Sequence, residues 1–112
     1  MVFVVISFAE GLTSAEHEEA AAGAPPCTDT CAPYAELLED SGWKIRQQLD
    51  VTAEFGAIST RELAAFESRS QRLREVLGDE EFSDRLALRT AKVSGIRAGA
   101  IRRELFVATP AC

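Results

Sequence analysis

The stretch W-K-I-R-Q-Q-L-D-V-T-A-E-F, residues 43–55, decides how the rest of the chain is interpreted. Its odd positions are apolar except for Gln47, and its even positions are all polar. Because successive side chains of a strand point to opposite faces, this alternation predicts an extended segment with one face in a core. The stretch is longer than the usual strand of about 5–6 residues. We therefore expect the strand to cover residues 43–49 and residues 50–55 to leave the sheet.

The composition is that of a short acidic chain with an ordinary apolar content. The chain has 112 residues, of which 46% are hydrophobic and 27% charged, and its net charge is −6. A single domain of this length buries roughly 65% of its unfolded surface. The negative charge argues against a nucleic-acid partner, which needs a basic face. The apolar start, residues 1–9, lacks a basic flank and is too short to cross a bilayer, so it predicts a buried strand and no membrane partner.

The three cysteines, Cys27, Cys31 and Cys112, show no regular disulfide framework. An odd number of cysteines without such a framework is typical of reduced thiols, which predicts a cytoplasmic location. Cys27 and Cys31 could be combined with His17 as metal ligands. Zinc sites usually have four ligands in paired knuckles, and the sequence offers no evident fourth ligand. The pattern therefore favours incidental loop thiols over a metal site.

The first half of the chain reads as strand, helices and strand. The continuous β-branched and aromatic run at residues 2–8 predicts a strand buried on both faces. Residues 15–22 predict a short exposed helix, and Pro33 is well placed to begin another helix that Gly42 ends. A strand–helix–strand unit of this length predicts two parallel neighbouring strands with a right-handed connection.

The second half predicts a helical hairpin followed by a last strand. Residues 59–62, S-T-R-E, fit a capping box that begins one helix. Gly78 is well placed to end that helix and Asp79 to begin the next, whose end would carry Arg97, Arg102 and Arg103. We expect three parts in one domain: a strand–helix–strand unit at 1–55, the helical hairpin at 56–103 and a final strand at 104–109.

This order of elements resembles the C-terminal half of a class I S-adenosylmethionine-dependent methyltransferase of the small-molecule type. V-F-V-V-I-S-F-A-E-G-L-T resembles the fifth strand of that fold and its following loop, and A-P-Y-A-E-L-L-E-D-S-G-W the helix before the sixth strand. D-V-T-A-E-F resembles the end of the sixth strand, and R-R-E-L-F-V-A the antiparallel seventh strand. The resemblance implies an α/β fold with a partial Rossmann-like sheet of about three strands, two parallel and one antiparallel, and a helical-hairpin insertion before the last strand.

The resemblance implies S-adenosyl-L-methionine as the cofactor of the complete enzyme and a small molecule as the methyl acceptor. The family holds this cofactor on a glycine-rich turn after its first strand, and no acidic-G-x-G-x-G sequence occurs here. Gly95 and Gly99 lie in a predicted helix, and Gly11 stands alone. We therefore expect a fragment without the first four strands, with no cofactor-binding residues of its own and no activity by itself.

The candidate substrate-side residues are placed by the geometry of open α/β sheets, where ligands bind at the carboxyl ends of the parallel strands. The side chains that could reach this edge are Glu10, His17, Asp50, Glu54 and Phe55. His17 could act as a general base because its unperturbed pKa lies near neutrality, although a lone histidine in an Ala/Glu-rich helix is more often without a role. The hairpin starts and ends at the same edge, so it is either a lid over the substrate or a cover for apolar sheet surface.

Two functions remain open on the sequence alone. One is the substrate-side portion of a methyltransferase that needs its other half to bind the cofactor. The other is a freestanding protein–protein interaction module built on the hairpin. The first predicts an exposed apolar edge along the first strand, and such an edge favours self-association.

Overall fold

A computed structural model describes residues 1–25, 28 and 32–111 of the chain. Within these residues the helices and strands follow in the order β1 Val2–Phe8, α1 Ser14–Ala22, α2 Tyr34–Asp40, β2 Trp43–Asp50, α3 Thr52–Ser68, α4 Ser70–Leu77, α5 Asp79–Arg97 and β3 Ile101–Pro110. The predicted types of element and their order are confirmed, except that three helices stand where two are predicted before the last strand. Residues 27 and 31, the two loop cysteines, lie outside the described residues.

The three described strands form one sheet in which β3 lies between β1 and β2. Both outer strands pair antiparallel with β3, Phe3 opposite Phe106 and Asp50 opposite Glu104. The predicted parallel pair of neighbours is therefore wrong. β1 and β2 run in the same direction because each is antiparallel to β3, but β3 separates them. The connection from β1 to β2 thus passes across an intervening strand.

A β-bulge in β2 explains why the alternating stretch does not bury one continuous face. The pairing register shifts between Ile45 and Gln47. Directly opposed residues share a face of the sheet, so Ile45 lies on the face of Ala108. Leu49, which is opposite Leu105, lies on the other face and is 44% exposed. The extra residue at the bulge divides the apolar positions of the stretch between the two faces.

β1 is less buried than its apolar run predicts. Phe3 stacks on Phe106 with ring centroids 5.5 Å apart, whereas Val2 and Val4 are 66% and 44% exposed. β1 pairs with β3 on one side and has no other described strand beside it. The prediction of a strand covered on both faces is therefore wrong for the described part of the chain.

The helical hairpin, which comprises α3, α4 and α5, begins earlier than the sequence predicts. α3 begins at Thr52, so residues 50–55 form the end of β2 and the first turn of α3 instead of an extended exit. The Asp50 carboxylate accepts a hydrogen bond from the backbone N–H of Thr52 at 2.9 Å, which stabilises this start. Ser59, the predicted first cap, lies buried within α3.

The ends of the hairpin also differ from the predicted ones. Arg69 separates α3 from α4, so two helices replace the single predicted one before Gly78. β3 begins at Ile101, and Arg102 and Arg103 therefore belong to a strand and not to the end of a helix. α5 begins at Asp79, as the sequence predicts.

Two aromatic rings and two arginines hold the three helices of the hairpin together. The rings of Phe66 in α3 and Phe82 in α5 stack with centroids 5.1 Å apart and an interplanar angle of 7°. The guanidinium of Arg74 in α4 lies 4.5 Å from the Phe82 centroid, and that of Arg89 lies 4.4 Å from the Phe66 centroid. Cations are attracted to the negative faces of aromatic rings. None of the helices in the described part of the chain has the length and apolar content needed to cross a membrane.

A second group of apolar side chains packs the helices onto one face of the sheet. Its buried members are Ala20, Ala24, Phe55, Ile96, Ala100 and Ile101, and Ile6, Phe8 and Leu12 pack against them. These residues come from α1, α3, α5, β1 and β3 and from the loops that follow β1, α1 and α5. The packing therefore fixes α1 and the start of α3 around the carboxyl end of β1.

Replacing Ser59 with alanine is expected to stabilise the chain. Ser59 is 2% exposed, and its hydroxyl has no hydrogen-bond partner among the described residues. An unpaired buried polar group costs about 1–3 kcal/mol, and alanine is the better helix former. We expect the free energy of unfolding in urea to rise by about 1 kcal/mol.

Ser68→Ala is the matched control, because its exposed hydroxyl already donates to the Ala65 carbonyl. We expect this control to change stability by less than about 0.5 kcal/mol. A loss of stability in Ser59→Ala would mean that the buried hydroxyl has a partner.

Candidate functional site

The carboxyl ends of β1 and β2 meet the start of β3 at one edge of the sheet. Phe8 is opposite Ile101, and Asp50 is opposite Glu104. α3 starts and α5 ends at this edge, which agrees with the placement predicted for the helical hairpin. A cleft of about 660 Å³ opens here. We call it the β1 cleft, and the side chains that give it its chemistry are Phe8, Glu10, His17, Tyr34, Arg102 and Glu104.

α1 brings His17 to the β1 cleft. The Thr13 hydroxyl accepts a hydrogen bond from the Glu16 backbone N–H, and the Glu16 carboxylate accepts one from the Thr13 N–H. The bond from the Thr13 backbone lowers the pKa of the Glu16 carboxyl. This capping box fixes the start of α1. His17, one residue further on, packs edge-to-face against Phe8 with ring centroids 4.8 Å apart and is half-buried.

Asp50 connects the helical hairpin to the β1 cleft. One of its oxygens accepts the bond from Thr52 at the start of α3, and the other accepts a bond from Arg102 Nη2 at 2.9 Å. The hydrogen bonds from Thr52, and after them the bond from Arg102, lower the pKa of Asp50 to about 2. Asp50 lies beside the cleft, and its partner Arg102 lines it. The carboxylate therefore sets the position of a cleft side chain.

Three lining residues of the β1 cleft were not predicted from the sequence. The sequence predicts Arg102 at a helix end and gives Tyr34 and Glu104 no role in the site. Glu104 accepts a hydrogen bond from Gln48 Nε2 at 2.7 Å, across the β2–β3 pair. The alternating side-chain direction along β3 places Arg102 and Glu104 on the same face. Arg102 and Glu104 are two residues apart, which is the spacing of side chains on one face of a strand. This spacing identifies them as neighbours only once β3 is known to begin at Ile101.

The remaining predicted site residues, Glu54 and Phe55, do not line the β1 cleft. Phe55 is 8% exposed and belongs to the packed core, with the Arg103 guanidinium 5.1 Å from its ring centroid. Glu54 is exposed on α3. Consecutive residues of a helix point in different directions, so the early start of α3 turns these two side chains apart. Of the five predicted residues, the structure brings Glu10 and His17 into the cleft and Asp50 next to it.

The metal-site alternative rests partly on Cys27 and Cys31, which lie outside the described residues. Within residues 1–25, 28 and 32–111, no group of three or more His, Cys, Asp or Glu side chains is placed to hold a metal ion. The cytoplasmic location inferred from the cysteines stays a prediction.

The glycines of the described residues do not make the glycine-rich turn that an S-adenosylmethionine site is expected to have. Gly11 and Gly99 have positive φ angles of 76° and 77° and make single turns beside β1 and β3. A Cβ on Gly95 would lie 2.5 Å from Ile101 Cδ1, so this glycine permits close packing of α5 on β3. Isolated glycines of this kind do not form a glycine-rich turn between a strand and a helix.

Three solved structures share this arrangement of helices and strands over almost the whole chain. A mycolic acid cyclopropane synthase in complex with SAH and CTAB superposes with a TM-score of 0.78 at 12% identity, over 96% of this chain and 43% of that chain. A Galdieria sulphuraria protein assigned as a sarcosine dimethylglycine methyltransferase gives a TM-score of 0.77 at 13% identity, over 96% and 40% of the two chains. A cyclopropane synthase from Mycobacterium tuberculosis gives 0.76 at 12% identity, over 96% and 42%.

These likenesses show that the chain has the α/β fold of class I S-adenosylmethionine-dependent methyltransferases, as the sequence predicts. The chain spans less than half the length of the solved chains that it matches. Neither the family models nor the curated protein sequences give a match.

The hydrogen bonds of the Asp50 carboxylate with Thr52 and with Arg102 predict a dependence of stability on pH. Because its pKa is lowered, the Asp50 carboxyl contributes to the stability of the folded chain. This contribution is fully present above pH 3.8, the usual pKa of the group, and is lost as the pH falls through about 2. The side chain is 52% exposed, so solvent screening limits the contribution to about 0.5–1 kcal/mol. Asp50→Asn keeps a side-chain acceptor for Thr52 and should lose about this amount at neutral pH. Urea unfolding across the acid range should show the difference from the wild type shrinking towards zero.

Asp84→Asn, an exposed position on α5, is the control and is expected to show no such convergence. A difference between Asp50→Asn and the wild type that stays constant with pH would contradict the role of the Asp50 charge.

Proposed function

We propose that the chain forms the substrate-side portion of an S-adenosyl-L-methionine-dependent methyltransferase whose cofactor is held by strands outside these 112 residues. The observation that carries the proposal is the strand order β1-β3-β2 with the helical hairpin between β2 and β3, in a fold shared with methyltransferases over 96% of the chain. One of those structures contains SAH, which supports S-adenosyl-L-methionine as the cofactor of the complete enzyme. The chain by itself is then inactive.

Within this proposal the β1 cleft receives a small-molecule methyl acceptor. Glu10 and His17 lie at its wall, and His17 is the candidate general base. The helical hairpin, α3 to α5, acts as the cap above the sheet edge. Asp50 joins the cap to the cleft, because its carboxylate accepts hydrogen bonds from the first turn of α3 and from Arg102.

The outer edge of β1 would receive the rest of the sheet. Val2 and Val4 are exposed along it, and the strand has no described partner on that side. An uncovered apolar edge pairs readily with another strand. We propose that the isolated chain associates with itself through this edge.

Isothermal titration with S-adenosylhomocysteine tests the proposed function. We expect no binding by the chain alone and clear binding after it is mixed with a cofactor-binding half that completes the sheet. Binding by the chain alone, or none by the completed pair, would contradict the proposal.

Size-exclusion chromatography with light scattering tests the edge. We expect the wild type to associate and Val4→Lys to be a monomer, because a charged side chain on an edge strand opposes pairing. Val76→Lys is the matched control, since Val76 is 72% exposed and lies on helix α4, outside the sheet. A stable monomeric wild type would favour the interaction module built on the hairpin.

A further inference from the structure

The β1 cleft carries unbalanced negative charge. Arg102 is the one arginine or lysine that lines it in the described part of the chain, and its guanidinium is paired with Asp50 at 2.9 Å. Glu10 and Glu104 both line the cleft. The partner of Glu104 is the neutral amide of Gln48, which leaves the carboxylate charge in place. Two acidic residues therefore line the cleft, and the described residues form no ion pair with either of them.

Aromatic rings line the same cleft. Phe8, His17 and Tyr34 are half-buried around it, and the edge-to-face contact between Phe8 and His17 fixes the orientation of those two rings. The face of an aromatic ring attracts a cation, and groups of such rings recognise quaternary ammonium ions. A volume of about 660 Å³ suits a small molecule.

We propose that the β1 cleft binds a small organic ammonium ion, attracted by the negative charge of Glu10 and Glu104 and packed against the aromatic side chains that line the cleft. Anions are disfavoured because the only described cation in the cleft is already paired with Asp50. This inference rests on the proposed function in one respect, because it makes amines the class of methyl acceptor. The binding itself requires no cofactor.

Choline is the probe, and its controls are a neutral molecule of the same shape and a small anion with the same trimethyl group. One is the neutral alcohol in which carbon replaces the quaternary nitrogen, and the other is the anion trimethylacetate. Titrations followed by backbone amide NMR at low ionic strength should show choline binding at least about tenfold tighter than the neutral isostere, a ratio within the range of desolvated cation–π contacts. The shifted amides should include those of Phe8, His17 and Glu104. Added salt should weaken the binding of choline and leave the binding of the neutral isostere unchanged.

Variants separate the charge of the cleft from its shape. Glu104→Gln should weaken the binding of choline about fivefold, the size of one charge interaction near a surface. The binding of the neutral isostere should not change. Glu75→Gln, at an exposed position on α4, is the matched control and should bind like the wild type. Tyr34→Leu should weaken the binding of choline, because it removes the aromatic ring of Tyr34 from the cleft.

Equal binding of choline and the neutral isostere, stronger binding of trimethylacetate, or no choline binding by a folded chain would each overturn the proposal. An equal effect of Glu75→Gln and Glu104→Gln would overturn it as well. The titration with S-adenosylhomocysteine is independent of these results, so failure of the amine proposal and failure of the methyltransferase proposal are distinguishable.

Discussion

Replacing Gly23 with alanine is expected to push α1 away from α5 and to destabilise the chain strongly. A Cβ at this position would lie 2.3 Å from the backbone N of Lys92 and 2.4 Å from the backbone C of Ala91. Both atoms belong to the main chain of α5, so no side chain can rotate away to make room. The helix must move instead, and Ala20, which is 1% exposed, loses its packing. Overpacking of this kind costs about 1–3 kcal/mol, and a backbone contact lies at the upper end of that range.

The displacement of α1 also has a functional consequence. α1 carries His17 to the wall of the β1 cleft, so Gly23→Ala should weaken choline binding together with stability. Thermal melting and the NMR titration measure the two effects on the same sample.

Gly56→Ala is the matched control for Gly23→Ala. A Cβ at Gly56 meets only Ile96 Cγ2 at 3.1 Å, and a side chain can yield by a few tenths of an ångström. Glycine inside a helix costs about 0.5–1 kcal/mol relative to alanine, so this control should melt no earlier than the wild type. A Gly23→Ala variant that melts with the wild type would contradict the close approach of α1 and α5.

Replacing Phe82 with alanine is expected to be the most damaging change within the helical hairpin. Phe82 is 1% exposed, stacks on Phe66 and lies under the Arg74 guanidinium. Its removal leaves a cavity where three helices meet, and such changes cost about 3–5 kcal/mol. Because small domains have a total stability of about 5–15 kcal/mol, this loss is a large fraction of the whole.

Hydrogen exchange locates the effect of Phe82→Ala. Amides of α4 and of the first half of α5 should lose protection first, whereas those of β3 at the centre of the sheet should keep most of theirs. Val76→Ala is the control, because Val76 is 72% exposed on α4 and should change stability by less than about 0.5 kcal/mol. Unchanged protection of α4 in Phe82→Ala would contradict the central place of the aromatic stack.

The sequence predicts the local elements well where a single periodicity or cap decides them. The β-branched run at residues 2–8 gives β1, Gly42 separates α2 from β2, and Asp79 begins α5, all as predicted. The candidate site is predicted only in part. Glu10 and His17 follow from their position after the first strand, since that requires only the chain direction and the rule for sheet edges.

Arg102, Tyr34 and Glu104 could not be found in the same way. Their place in the β1 cleft depends on where β3 begins and on which strand it joins. The pairing of Asp50 with Arg102 likewise joins residues on two different strands. No local pattern specifies such a contact.

The stretch at residues 43–55 shows this division most clearly. By itself the sequence determined that the stretch contains a strand, because alternation of apolar and polar side chains is a local property of extended backbone. The tertiary structure decided which residues of the strand are buried, because the bulge between Ile45 and Gln47 arises from pairing with β3. It also decided where the strand ends, since Asp50 bonds to Thr52 and Arg102 at the sheet edge and turns the chain into α3. Strand order, bulges and ion pairs between strands are set by contacts across the sheet, and residues near one another in sequence do not specify them.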